Sequence, residues 1–356
     1  MKIAVTADVH LTTREDQPAR FNALANIFAS LADLEINQLI IAGDLFNKDI
    51  QNYNEFETLC KEYPDVTVHV IPGNHDPSVE QKRFAASNIL AYSKPTRVEL
   101  GESTFLFLPY QLGTSMGAAI ATAATNLEPS KWVLVGHGDY CRGIRQAGSD
   151  EQGTYMPLFR SDIDRYKPRD VLLGHIHIHH SPDGKVHYPG SPCGLDISEV
   201  GRRNFLVYDT ENAAISTHPV NTDVLFFQES FMIIPRDDEL SRLKQEIEQR
   251  IGSWELDESE LGRVRLRIRA RGFCNDKQAI ADLLKESFGD LAQYKDAGPD
   301  VSDLSVNNNN ELGFIAKRVE EEIANMDWGS CPVEDRAGHD EIMDQALQVI
   351  YGEGGS

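Results

Sequence analysis

The sequence predicts an α/β domain, followed by a small α+β module and two C-terminal helices. Three observations carry that expectation. Short apolar runs alternate with helical patterns through the first 210 residues. The pattern changes character near residue 220. Polar clusters of Asp, Asn and His follow five of the early runs.

The runs are KIAVTA, QLIIAG, VTVHVI, TFLFLP, WVLVGH, VLLGH and FLVYD, each bounded by Gly, Pro or Asp as buried strands are. Between the early ones, PARFNALANIFASLADL (18–34) and YNEFETLCKEY (53–63) repeat apolar residues at helical spacing. Sheets covered by helices follow from this alternation. Beyond residue 220, FMIIPR (231–236) reads as a strand and DDELSRLKQEIEQRI (237–251) as a helix. RVRLRIRARG (263–272) reads as a second strand and DKQAIADLLKESF (276–288) as a second helix. Two amphipathic segments close the chain. Leu312, Ile315, Val319, Ile323 and Met326 recur at steps of three and four, and HDEIMDQALQVIYG follows. There is no internal repeat.

Composition narrows the function classes. Apolar residues make up 41% of the 356, enough for a sizeable core. The five cysteines are odd in number and scattered, with no CxxC pair, which fits reduced thiols in a cytoplasmic protein. No apolar stretch approaches the length of a membrane span, and the opening MKIAVTADVH is too short in its apolar part for a signal peptide. Net charge is −22, which lowers the expectation of a nucleic-acid partner. The charge is uneven, however: residues 301–356 carry twelve Asp and Glu against three Lys and Arg.

The clusters, in order, are DVH (8–10), GDLF (43–46), GNHD (73–76), GHG (136–138) and GHIH (174–177). They offer oxygen and imidazole ligands without a thiolate, which suits Mn²⁺, Fe or Zn²⁺. Two Asp, one Asn and four His are too many for one ion and suitable for two. Paired divalent ions are a phosphoester-cleaving device, in which a shared water becomes hydroxide near neutral pH. Carboxyl ends of strands are where open α/β sheets build such sites.

With these motifs the sequence resembles the calcineurin-like metallophosphoesterases over residues 1 to about 210. The resemblance implies a four-layer αββα sandwich with a dimetal centre. It implies that Asp8, His10 and His177 hold one ion, that Asn74, His137 and His175 hold the other, and that Asp44 bridges them. It also implies that His75 positions the phosphate or protonates the leaving group without being a ligand, and that Asp76 orients His75. His179 and His180, which complete GHIHIHH, fall outside the ligand spacing.

The stretch VHYPGSPCGLDISEVGRRNFLVYD (186–209) narrows the resemblance to SbcD-type DNA repair exonucleases, with Tyr188, Pro189, Gly190, Ser191 and Glu199 as the matching residues. Three regions are then expected: a metallophosphoesterase domain over 1–222, an α/β capping, DNA-binding domain over 223–300, and acidic amphipathic helices over 301–356. Members of that group bind DNA, commonly form homodimers, and dock an SbcC-type ATPase on their C-terminal helices. In RVRLRIRARG, five arginines from Arg263 to Arg271 occupy every second position, so one strand face carries guanidiniums. Arg265 and Arg267 are candidate DNA contacts; a solvated face that resists edge pairing is the competing reading. Asn47 stands where many nucleases of the group have a histidine; it can bond phosphate but cannot supply a proton. Arg142, in the long loop 138–157, is a further candidate contact.

Three functions remain in view. The first is a Mn²⁺-dependent DNA nuclease. The second is a small-molecule phosphodiesterase or pyrophosphatase using the same metals, favoured by acidity and by Asn47. The third is a DNA-end-binding or ATPase-partner subunit whose hydrolysis is secondary.

Overall fold

A computed structural model describes residues 1–48, 52–141, 155–306, 310–325 and 339–352. The chain divides into two compact units, Met1–Val224 and Leu225–Ser356. The acidic helical segment after residue 300 falls in the second of these.

In chain order the first unit contains β1 (Lys2–Thr6), α1 (Pro18–Asp33), β2 (Gln38–Ala42), α2 (Tyr53–Glu62), β3 (Thr67–Ile71), β4 (Ile89–Ala91), β5 (Thr96–Leu100) and β6 (Ser103–Phe107). There follow α3 (Met116–Ala123), β7 (Trp132–His137), β8 (Tyr140–Cys141), β9 (Leu158–Phe159), α4 (Arg160–Tyr166), β10 (Asp170–Gly174), β11 (Val186–His187), β12 (Asn204–Asp209) and β13 (Ile215–Pro219). One sheet has the order β13-β12-β1-β2-β3-β4 and the other β11-β10-β7-β6-β5, with β8 and β9 forming a separate short pair.

Strand alternation sorts these residues into three apolar layers. Ile3, Val5 and Ile40 meet Val133, Val135 and Leu172 between the sheets. Their neighbours Ala4, Leu39 and Ile41 pack outward beneath Phe21, Leu24, Ile27 and Phe28 of α1 and Phe56 of α2. On the far side Leu134, Val171 and Leu173 pack under Met116 and Ile120 of α3 and Ile163 of α4. The expected αββα sandwich is the observed one. All seven apolar runs read as strands contribute to it.

The second unit contains β14 (Leu225–Ile233), α5 (Glu239–Ser253), α6 (Glu258–Leu261), β15 (Val264–Cys274), α7 (Lys277–Ser287), β16 (Ala292–Gln293), β17 (Leu304–Val306), α8 (Asn310–Ala324) and α9 (His339–Gly352). Its strands are parallel around β15. Phe227, Phe231, Leu266 and Ile268 face Leu243 and Ile247 of α5 and Ile280 and Leu284 of α7. Strand β14 starts six residues before the expected Phe231, because Glu229 interrupts the apolar pattern. That carboxylate is buried on the helix-covered face, where it accepts from Trp254 Nε1 at 2.8 Å and pairs with Arg250 at 3.3 Å. In α8 and α9, Ala316, Leu347 and Tyr351 form a small cluster with Phe273. Among the described residues, no helix is long and apolar enough to cross a membrane.

Candidate metal centre

Five strand ends build the site. Strands β1, β2 and β3 are parallel neighbours in one sheet, and β7 and β10 are parallel neighbours in the other. Their C-terminal ends therefore point the same way within each sheet and carry Asp8 and His10, Asp44, Asn74 and His75, His137, and His175 and His177. Beyond the sheet the first two loops stay paired: Asp8 N–H donates to Gly43 O, and His10 N–H to Asp44 O.

These loops adopt conformations that ordinary side chains avoid. Asp8, His10, Asp44 and His175 have φ of +53°, +49°, +51° and +101°. Each costs about 1–3 kcal/mol and persists only where its surroundings fix it. Here the fixing bonds include the His175 N–H, which donates to both Asp8 oxygens at 3.0 and 3.1 Å. Gly43, at φ +90°, adds a second constraint, since a Cβ there would lie 2.2 Å from the His137 ring. The glycine lets the histidine close over the turn.

The side chains then fall into two sets. Asp8, His10 and His177 each offer a ligand atom within 4.8 Å of the others. His10 Nε2 and His177 Nε2 face one another at 3.2 Å. In the second set Asn74 Oδ1 lies 2.8 Å from His137 Nε2 and 3.1 Å from His175 Nδ1. Asp44 stands between them. Its Oδ1 accepts the His75 backbone N–H at 2.8 Å, while Oδ2 is 3.6 Å from His10 Nε2 and 3.4 Å from His137 Nε2. The seven residues expected as ligands are thus together, and the expected bridge is central.

Electrostatics fit cation binding. Asp8, Asp44 and His137 are essentially inaccessible to water. Burial pushes the Asp8 carboxyl up to about 6, against the pull of His177 and His137. Burial acts the same way on Asp44, yet His137, His10 and His75 together hold it below the usual carboxylate range. His137 is raised to about 9 despite burial, because Asp44 and Asp8 surround it. His10 is held well below its ordinary value, first by burial. Buried carboxylates and facing imidazole nitrogens are a donor set that divalent ions satisfy. The donors fit two such ions.

Other expected residues land differently. His75 is half-buried, with Nδ1 3.4 Å from Asn47 Oδ1 and its ring 4.6 Å from that of His10. Its ligand atom also lies within 4.8 Å of His10 and Asp44. Asp76 does not orient His75. Its two oxygens accept from Gly73 N–H at 2.7 Å and Phe46 N–H at 3.0 Å, so it clamps the GNHD turn to the segment after β2. Burial, then Asp44, pushes its carboxyl up to about 7. His179 turns aside, Nδ1–H donating to Tyr188 O at 3.0 Å, and the His180 backbone bridges to Tyr188. Arg265 and Arg267 belong to the second unit. Arg142 lies outside the described residues.

Sequence reasoning missed Arg20 and gave Glu199 no role. Arg20, in the first turn of α1, donates from Nη1 to His10 O at 2.7 Å and lines the same cavity as His10, Asn47 and His75. The amphipathic pattern of α1 absorbed it without a signal. Glu199 lies 2.7 Å from His177 Nδ1.

Sandwich and site together define an α/β protein whose strand ends gather cation ligands at a cavity. Residues 1–218 match the calcineurin-like phosphoesterases, and the chain belongs to that family. It is a metal-dependent hydrolase class acting on phosphoester bonds, and the family works through a dinuclear metal centre. No curated protein matches the sequence. Among solved structures, an archaeal phosphodiesterase is similar at 15% identity and a TM-score of 0.35, over 62% of this chain and 100% of that one. TT1561 of Thermus thermophilus is similar at 14% identity and a TM-score of 0.42, over 62% and 99%. The Pseudomonas putida nuclease MPE is similar at 19% identity and a TM-score of 0.26, over 51% and 65%.

Proposed function

We propose that the chain is a dimetal phosphodiesterase that cleaves DNA, an SbcD-like nuclease of DNA repair with Mn²⁺ as its working ion. The observation that carries the phosphodiesterase part is the position of Asp44 Oδ2, within 3.6 Å of one histidine from each ligand set. Two divalent ions bound there would supply the Lewis acidity that phosphodiester hydrolysis needs. Asp8, His10 and His177 would hold one ion, Asn74, His137 and His175 the other, with Asp44 placed to serve both. His75, at the cavity face, contacts the phosphate or delivers a proton to the leaving oxygen. Asn47, beside its Nδ1, bonds phosphate without proton transfer. The DNA part is supported by the YPGS…E segment and by the alternating arginines of β15, whose Arg269 and Arg271 are exposed. Exposed Phe314 and Ile315 on α8 and Val349 on α9 are compatible with an ATPase partner.

A second reading has its own observation. The cavity is about 470 Å³ and includes Ile176, Ile178 and Leu195 beside the polar groups, a size and lining that suit one small diester. Linear DNA and bis(p-nitrophenyl) phosphate, each with Mn²⁺ at low salt, separate the two. DNA degradation is expected. Hydrolysis of the small diester alone sinks the nuclease reading.

A further inference from the structure

The segment 188–203 has no place in the ligand set, yet it converges on one ligand. Ser191 N–H donates to His177 O at 2.9 Å. Gly190 has φ +79°, and a Cβ there would lie 2.7 Å from His177 O and from His179 N, so only glycine lets this turn lie against the histidine backbone. Arg203, nearly inaccessible, donates from Nη2 to His177 O and to Ser191 Oγ, and from Nε to Ser191 O at 3.0 Å. Glu199 completes the arrangement. Its Oε1 is 2.7 Å from His177 Nδ1, while Oε2 accepts from Ser191 Oγ at 2.7 Å and Leu195 N–H at 3.2 Å and pairs with Arg203 at 3.5 Å.

A carboxylate only accepts, so His177 Nδ1 must carry the proton, which leaves Nε2, the nitrogen facing Asp8 and His10, as the atom that can bind a cation. The other ligand set is backed differently. His137 Nδ1 donates to a neutral peptide oxygen, Ala42 O, at 2.9 Å, and His175 Nε2 stands 3.6 Å from Asp139 Oδ1, well beyond the 2.7 Å of the His177–Glu199 contact. Carboxylate backing makes an imidazole a stronger ligand than carbonyl backing. The donors themselves add to the difference, since the first set has the Asp8 carboxylate where the second has the Asn74 amide.

We propose that Glu199 is a positioning residue that fixes the Nδ1–H tautomer of His177 and makes the Asp8/His10/His177 position the tighter of the two cation sites. The inference rests on the two-ion reading given above. The two sites then fill in order, the first at lower ion concentration. Glu199→Gln is the informative change. Leu195 N–H and Ser191 Oγ–H hold an acceptor at the Oε2 position, so the amide nitrogen takes the Oε1 position and presents a donor to His177. That drives the ring to Nε2–H and removes its ligand lone pair.

Two measurements test this. Imidazole ¹⁵N shifts of the metal-free wild-type chain should report Nδ1–H at His177, and those of Glu199→Gln should report Nε2–H. Calorimetric Mn²⁺ titration should show a tighter and a weaker class in the wild type. In Glu199→Gln the tighter class should weaken about 10–100-fold while the weaker one stays. Asn74→Ala should leave only the tighter class, which identifies it, and Glu199→Gln added to Asn74→Ala should weaken that class. An Nε2–H tautomer in the wild type overturns the proposal without any variant. Unchanged affinities in Glu199→Gln overturn it as well, and so does equal weakening of both classes. A wild-type chain that takes up no Mn²⁺ overturns the two-ion reading itself, and this refinement with it.

Discussion

The strand ends of the first unit and strand β15 of the second both concentrate polar side chains, and they do so on opposite principles. At the strand ends, residues from five separate segments are buried together, and backbone in the left-handed region is fixed by specific bonds. On β15 the arginines come from one segment, are half-buried or exposed, and each finds its own surroundings. Arg265 donates to Val264 O, Arg267 sits 4.9 Å over the Tyr294 ring, and Arg269 is 3.9 Å from Asp300. Convergence under burial specifies a chemistry, because unsatisfied buried charge is costly. Alternation on a strand specifies only a face.

Asp44→Asn should break the first region most severely. It removes the carboxylate oxygen that lies within 3.6 Å of a histidine from each ligand set, and diester hydrolysis should fall by roughly 10³-fold or more, since both ions depend on it. Mn²⁺ uptake by calorimetry should fall with it. Retained two-ion binding would remove Asp44 from its bridging role.

His75→Ala is expected to lower kcat by about 10²–10⁴-fold while Mn²⁺ stoichiometry holds, as loss of a general acid or phosphate contact does. Its nearness to His10 and Asp44 makes the second half of that outcome decisive. Loss of one ion would put His75 among the ligands.

His69 tests whether burial alone marks a site. It is also a buried histidine of the first unit, 1% exposed, with Nδ1 2.8 Å from Tyr92 Oη and Nε2 2.8 Å from Gln38 Oε1, and its ring stacks on Phe107. Burial pushes it down to about 4. In the unfolded chain it takes a proton near the ordinary pKa of about 6.5, while the folded chain resists until about pH 4. Its contribution is therefore intact above about pH 6.5 and is lost as pH falls toward 4, on the order of 3 kcal/mol. Urea unfolding at pH 7 and pH 4.5 should show a steeper loss in the wild type than in His69→Gln, with activity at neutral pH little changed. Equal pH slopes would refute the assignment.

Much of this was legible in the sequence where several weak signals agreed. DVH, GD, GNHD, GH and GHxH are each short, but five in order at strand ends leave little room for another arrangement, and the seven side chains expected as ligands come together in the fold. The roles of single neighbours were less legible. Asp76 follows His75 in sequence, and the family resemblance implied that it orients the ring; the turn instead points its carboxylate back at Gly73 and Phe46. Glu199 is twenty-two residues from His177, and no spacing rule joins them; only the return of the chain through Gly190 does. The start of β14 was hidden by Glu229, a charge that Trp254 and Arg250 make tolerable inside an apolar face. Long-range hydrogen bonds decide such positions, and periodicity does not encode them.

The arginine face offers the smallest effect and the sharpest test of the contrast. If β15 tracks a phosphate backbone, Arg265→Ala with Arg267→Ala should weaken DNA binding and reduce the slope of log affinity against log salt by roughly one per arginine removed. Hydrolysis of a small diester should stay at the wild-type rate, because neither arginine belongs to the strand-end cluster. Fluorescence anisotropy across a salt series reads the first quantity and a chromogenic diester the second. Arg267 is the more telling of the two, since its stacking over Tyr294 gives it a structural use that needs no ligand. Arg267→Lys keeps the charge but loses the planar stack. A salt slope unchanged by Arg267→Lys and reduced by Arg267→Ala would assign the face to phosphate. A slope indifferent to both would leave β15 a solvated face, its alternation serving the fold alone.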